Sequence, residues 1–284
     1  MQEIKKGNPL SKHFRQPAIH IGLTSAGRFW PEGTLDLPVT GKIPVYPMTT
    51  RDEITLRTPD ALINGTSVVE VIESCCPNIK DAWAMPSVDV DSTLIAIRIA
   101  SYGPTMTISS KCPHCDEEHD YDINLSGLLD KINMPDYSQP VKTADQLEIY
   151  LKPMSYRNVS RTGEVSLEEE RLIQTLANTE LSDEERSAGY ENHMRKMIEL
   201  SINSIVYCTD RIVTDDGTVV TDEAYIKEYY SNADSSVLRI IREQLDHYSE
   251  IINLKPMPAE CDGCNKPFEI NVEFDYASFF GRGF

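Results

Sequence analysis

The chain has 284 residues and a formal net charge of −18, with 40% hydrophobic and 25% charged residues. That length supports one large hydrophobic core or two modest ones. The charge repels nucleic acid and anionic membrane surfaces, and no run of about 18 apolar residues is present to cross a bilayer.

The opening, MQEIKKGNPLSKHFRQP, has basic residues but no apolar stretch behind them, so it does not read as a secretory signal. With Lys5, Lys6, Lys12 and Arg15 against Glu3, residues 1–21 read as a basic N-terminal arm. Residues 22–48 are punctuated by glycine and proline into turns and short strands, and KIPVYPM is an extended edge segment. Thr49 followed by acids starts a helix over 49–57, and a second helix runs from about Ser67 to Cys75, stopped by Pro77. The apolar run 91–101 is read as a helix capped by Asp91. Residues 104–111, 119–125 and 145–151 alternate as strands.

Beyond residue 151 the character changes. Two capping-box patterns, Ser166-Leu-Glu-Glu169 and Ser182-Asp-Glu-Glu185, predict helices of about 13 and 25 residues. Asp216-Gly217 turns a hairpin over 212–220. Helices follow at about 222–231 and 235–252, and Pro256 and Pro258 end the helical region. The expected fold class is α+β. Residues 22–150 together with 253–284 form a mixed domain, and 151–252 form an acidic, mainly helical insertion with a small β-hairpin.

The strongest chemical signal is a repeated unit. CPHCDEEHDYDINL and CDGCNKPFEINVEF each give CxxC, a short turn, an aromatic and an alternating strand. A CxxC on a tight turn presents two thiolates, and two such knuckles complete the tetrahedron that zinc takes in structural sites. Cys112, Cys115, Cys261 and Cys264 are therefore the expected ligands of one structural Zn2+, held as a split zinc ribbon that pins residues 116–260 at their base. Gly263 suits a knuckle through left-handed backbone and close amide-to-sulfur approach. His114 and His119 are alternative ligands, and two half-sites in different protomers are an alternative arrangement. Cys75, Cys76 and Cys208 read as buried core thiols.

No Gly-x-Ser-x-Gly, P-loop, GxGxxG or HExxH pattern occurs, and the six histidines are scattered. The acidic runs Glu168–Glu170 and Asp183–Glu185 fit helix N-termini better than paired catalytic carboxylates. A non-enzymatic protein is expected. Aromatic residues near the two ends, Phe29 and Trp30 in RFWP and Phe279, Phe280 and Phe284 in SFFGRGF, are either core or anchors for a partner, and they are taken as the candidate partner contacts.

The order of motifs GLTSAGRFWPEG, VYPMTTRDEITLRTPDALINGTSVVEVIESC, LIAIRIASYGPTMTISSKCPHC and a closing CxxC strand unit resembles the baseplate hub family of T-even-type contractile-tailed phages. The resemblance covers most of residues 22–125. It implies a tail baseplate hub component or a hub-assembly factor beside hub, wedge or tape-measure proteins. It also implies assembly in the host cytoplasm and a place in the virion tail baseplate; the acidic charge, and not the resemblance, is the ground for expecting no nucleic-acid or membrane partner. A zinc-ribbon regulatory or nucleic-acid-binding module is the alternative drawn from the CxxC pairs alone, and the −18 charge counts against it.

Overall fold

The computed structural model describes residues 8, 10–57, 65–178, 182–270 and 279. Helix and small antiparallel sheets are mixed throughout, as expected of an α+β chain.

The first core is built around one apolar helix. Strands β1 (Ile19–Gly22) and β2 (Lys42–Val45) pair antiparallel. Helix α1 (Thr50–Leu56) starts with a full capping box: Thr49 Oγ1 accepts the Asp52 N–H at 3.3 Å, and Asp52 Oδ2 accepts the Thr49 N–H at 2.7 Å. Helix α2 (Thr66–Cys75) buries Val68, Val69, Val71, Ile72 and Cys75. Helix α3 (Ser87–Tyr102) buries nearly its whole circumference, which is why its sequence shows a continuous apolar run and no clear period. It begins four residues before the expected Asp91 cap. The Ser87 N–H is satisfied by the Met154 carbonyl at 2.8 Å, so a neighbouring segment supplies what a capping side chain would have supplied.

The basic arm is docked from Arg15 onward. Its guanidinium donates to the Pro47 carbonyl (2.6 Å), Asp52 Oδ2 (3.1 Å), the Ser74 carbonyl (2.7 Å) and Ser74 Oγ (2.8 Å). Residues 19–22 then belong to β1. The one carboxylate that Arg15 meets among the described residues, Asp52, belongs to the chain's own α1.

The hairpin β3 (Thr105–Lys111) and β4 (Glu118–Asn124) leaves this core and returns through the short helix α4 (Leu125–Leu129).

A second core lies under a four-stranded antiparallel sheet in the order β5 (Val141–Lys142), β6 (Glu148–Leu151), β7 (Thr209–Val213), β8 (Val219–Val220). Gly217 takes φ 84° in the β7–β8 turn, as the Asp-Gly signal requires. Tyr137, Ile149 and Leu151 join Ile205, Ile212, Tyr230 and Ile241 in this core. The segment 137–150, placed by sequence in the first domain, therefore packs with the helical part, because β6 pairs with β7. Helices α7 (Glu223–Asn232) and α8 (Ser235–Ile252) cover it.

A long helical pair, α5 (Tyr156–Asn178) and α6 (Asp183–Tyr207), starts from the first core at Tyr156 and ends in the second at Ile205 and Val206. The Ser182 capping box forms as read: Ser182 Oγ accepts the Glu185 N–H, and Glu185 accepts the Ser182 N–H. The Ser166 box does not form. Ser155 Oγ already accepts the Asn158 N–H at 3.3 Å, the helix is capped eleven residues before Ser166, and Ser166 sits exposed in its interior. Glu169 is not at a helix terminus but 3% exposed between the two helices. It accepts from Lys196 Nζ (2.8 Å) and lies 2.9 Å from His193 Nδ1, and the lysine bond holds its carboxyl below the usual range.

No helix among the described residues is long and apolar enough to cross a membrane.

Candidate metal centre

Each CxxC sits in the turn of a two-stranded hairpin. The first is carried by β3–β4. The second is carried by β9 (Met257–Glu260) and β10 (Pro267–Ile270). The two turns use the same backbone scheme. The Cys112 N–H donates to the Glu117 carbonyl, and the Asp116 N–H donates to the Cys112 carbonyl. At the second turn, Cys261 N–H to Lys266 and Asn265 N–H to Cys261 repeat it. Asp116 and Asn265 take the left-handed backbone, with φ of 62° and 54°, which Asp and Asn tolerate best among side-chain-bearing residues. The left-handed position is thus the residue after each knuckle and not Gly263. A Cβ at 263 would meet the tip of the exposed Glu117 side chain, which can swing aside, so neither backbone nor space there demands glycine.

The four sulfurs converge. Cys112 Sγ lies 3.8 Å from Cys264 Sγ, Cys115 Sγ lies 3.5 Å from Cys261 Sγ, and all four fall within 4.8 Å of one another. Thiolates about 2.3 Å from a tetrahedral metal stand about 3.8 Å apart, so the cluster fits such an ion. The N–H groups of Cys264 and Gly263 face the Cys261 sulfur and lower its thiol, so this sulfur is the first of the four to become a thiolate, while Cys115 and Cys264 beside it are held up. Cys112 and Cys261 are fully buried, and Phe268 and Ile270 complete a small apolar cluster around them. Tyr121 and Phe268 meet edge to face at 5.6 Å across the two hairpins. All four cysteines come from one chain, so the knuckles need no second protomer to meet.

The histidines point elsewhere. His114 Nε2 lies 3.2 Å from the Pro267 carbonyl, and His119 pairs with Glu117 at 3.4 Å. The other thiols are core as read: Cys75, Cys76 and Cys208 are buried. Burial pushes the Cys75 and Cys208 thiols up to about 12 and raises Cys76 further.

The aromatic anchors are largely internal. Trp30 Nε1 donates to Asp89 Oδ2 at 2.8 Å, and its ring packs on the first core. Phe29 meets Tyr137 edge to face at 5.4 Å, against the second core. Phe279 is 2% exposed in the first core. Arg98 Nη1 donates to its carbonyl at 2.6 Å, and the guanidinium lies 5.3 Å from its ring centroid. Phe280 and Phe284 lie outside the described residues. The proximity of these aromatics to the chain ends, which made them look like anchors, says nothing about tertiary contact. Phe279→Ala should therefore cost about 3–5 kcal/mol of stability, as for other buried aromatics. A melting temperature equal to that of the parent chain would contradict this.

Sequence reasoning missed an exposed apolar row on α6: Tyr190, Met194 and Ile198, the last 61% exposed. Their spacing of four was legible, but the polar and mostly basic residues between them, Asn192, His193, Arg195 and Lys196 beside Glu191, masked it.

No curated protein and no solved structure matches the chain. The family model described as T4 bacteriophage base plate protein matches residues 31–281, through both cores and both knuckles, and the chain belongs to that family.

Proposed function

We propose that the chain is a non-enzymatic component of the tail baseplate hub, or a factor that assembles the hub, acting through protein–protein contacts with a structural zinc ion in the four-cysteine site. The family places its role in the phage tail baseplate, among other baseplate proteins. The observation that carries the proposal is the extent of that match, which takes in the helical region as well as the motif-rich first core. The hub assignment is supported by the motif order within residues 22–125. Four thiolates fill a tetrahedral metal, leaving no position for substrate or water, which supports a structural metal over a catalytic one. Large apolar side chains left outside on α6 support a role in contacts.

Quantitative mass spectrometry of purified mature particles, with zinc measured on the isolated chain, tests the proposal. A fixed small-integer ratio to the tape-measure protein makes the chain a resident subunit. Absence from particles, with binding to hub proteins in infected-cell lysate, makes it an assembly factor. Association with wedge or tail-tube proteins and none with the hub overturns the hub assignment.

A further inference from the structure

Among the described residues, strand β1 has a hydrogen-bonding partner on one edge only, β2. Which backbone groups face outward follows from Pro44. It lies opposite His20 and has no N–H to give, so His20↔Pro44 is the non-bonded kind of antiparallel pair and Ile19↔Val45 and Ile21↔Ile43 exchange the ladder bonds. The Lys42 N–H agrees, since it turns from Gly22 to Thr40 Oγ1 at 3.4 Å. The N–H and C=O groups of His20 and Gly22 are thereby aimed away from β2, and they form no hydrogen bond to another described residue.

This edge borders a groove of about 600 Å³. Every residue from Ile19 to Thr24 lines it. A groove on a strand's face would meet alternate residues only, so this one runs along the edge. Ile99, Leu129 and Ile132 give it apolar walls, and Lys42 and Asp130 give it a charge of each sign.

We propose that the outer edge of β1 takes up an extended segment of a neighbouring baseplate protein, which adds as a third strand and sets alternate apolar side chains into this groove. The proposal rests on the reading of the chain as a baseplate component. An extended backbone is the occupant that meets the requirement: it returns N–H and C=O groups at the spacing His20 and Gly22 present, while its side chains alternate into the apolar wall. A second copy of this chain does not fit. Its own β1 edge is recessed beside the segment running from Ser126 to Met134, and two recessed edges cannot meet.

The test is hydrogen exchange on the full chain, alone and in the complex recovered from phage-infected cells through an N-terminal affinity tag. In the free chain the His20 and Gly22 amides should exchange at nearly the rate of unstructured chain. In the complex they should slow by orders of magnitude. His20→Pro removes the outward N–H and no ladder bond; it should keep the parent melting temperature and lose the partner that protects this edge. Equal exchange in the two states, a folded His20→Pro chain that retains its full complex, or recovery of the chain alone would each overturn the proposal. Mass spectrometry of the same complex separates the two readings. Protection at β1 in a complex without baseplate proteins overturns the proposed function and not the open edge.

Discussion

Cys112→Ser and Cys261→Ser should each unravel both knuckles and lower the melting temperature by ~10 °C or more. Among the described residues neither hairpin has more than two strands, and isolated two-stranded hairpins are marginal in water. Their shared apolar cluster is small, with Phe268 and Ile270 beside the cysteines. In four-thiolate sites metal-binding energy is folding energy, on the order of 10 kcal/mol, and one lost ligand forfeits several kcal/mol of it. A chelator should reproduce the effect, and thiol titration gives a second readout. Cys75, Cys76 and Cys208 are buried with raised thiol pKa values and should stay unreactive in the folded chain. The metal-loaded chain should therefore be nearly silent to a thiol reagent, and chelation should expose the four knuckle thiols. Serine variants with unchanged melting temperature, and four reactive thiols before chelation, would sink the metal-centre reading.

The second large effect is expected at Asp89, which is fully buried and organises the Gly-rich opening. Its carboxylate accepts the Ser25 N–H (2.7 Å), Ser25 Oγ–H (2.5 Å) and Trp30 Nε1–H (2.8 Å), tying the segment 25–30 to the first turn of α3. Asp89→Ala leaves these donors buried without an acceptor, each at about 1–3 kcal/mol, for a net loss of about 3 kcal/mol once relief of the buried carboxylate is counted. Trp30 fluorescence should shift with it. Burial raises the Asp89 carboxyl above its ordinary value, against the pull of Ser25 and Trp30. The folded chain thus holds that proton more tightly than the unfolded chain. This contribution is fully present below the ordinary carboxylate pKa and is lost as pH rises through the raised one. The alanine variant should lack that part of the pH dependence. An Asp89→Ala chain with parent stability and unshifted Trp30 emission would show that the network does not hold the loop.

Much of the local structure was legible in the residues because its causes are local. Thr49 and Ser182 cap their own helices, Asp216-Gly217 turns its own hairpin, and each CxxC builds its own knuckle. The metal cluster was legible although residues 116–260 separate its halves, because zinc chemistry demands four ligands and the chain offers two matched pairs. What failed were inferences about distant partners. Ser166 has the right neighbours for a cap, but Ser155 starts the helix first. The strand pattern of 148–151 is plain, but its pairing with β7 instead of the first domain depends on tertiary contact. Trp30 and Phe279 looked like loose aromatics near chain ends until Asp89 and Arg98 were seen to hold them.

The joined knuckles also set the mechanical character of the molecule. When the four cysteines share a metal, tension between the two ends that pulls Phe279 out of the first core passes next from the first hairpin through the metal–sulfur bonds to the second. Residues 116–260, with the four-stranded sheet and its covering helices, then form a side loop outside the load path. Such a load would strain the first core and the knuckles, while the helical unit keeps its shape.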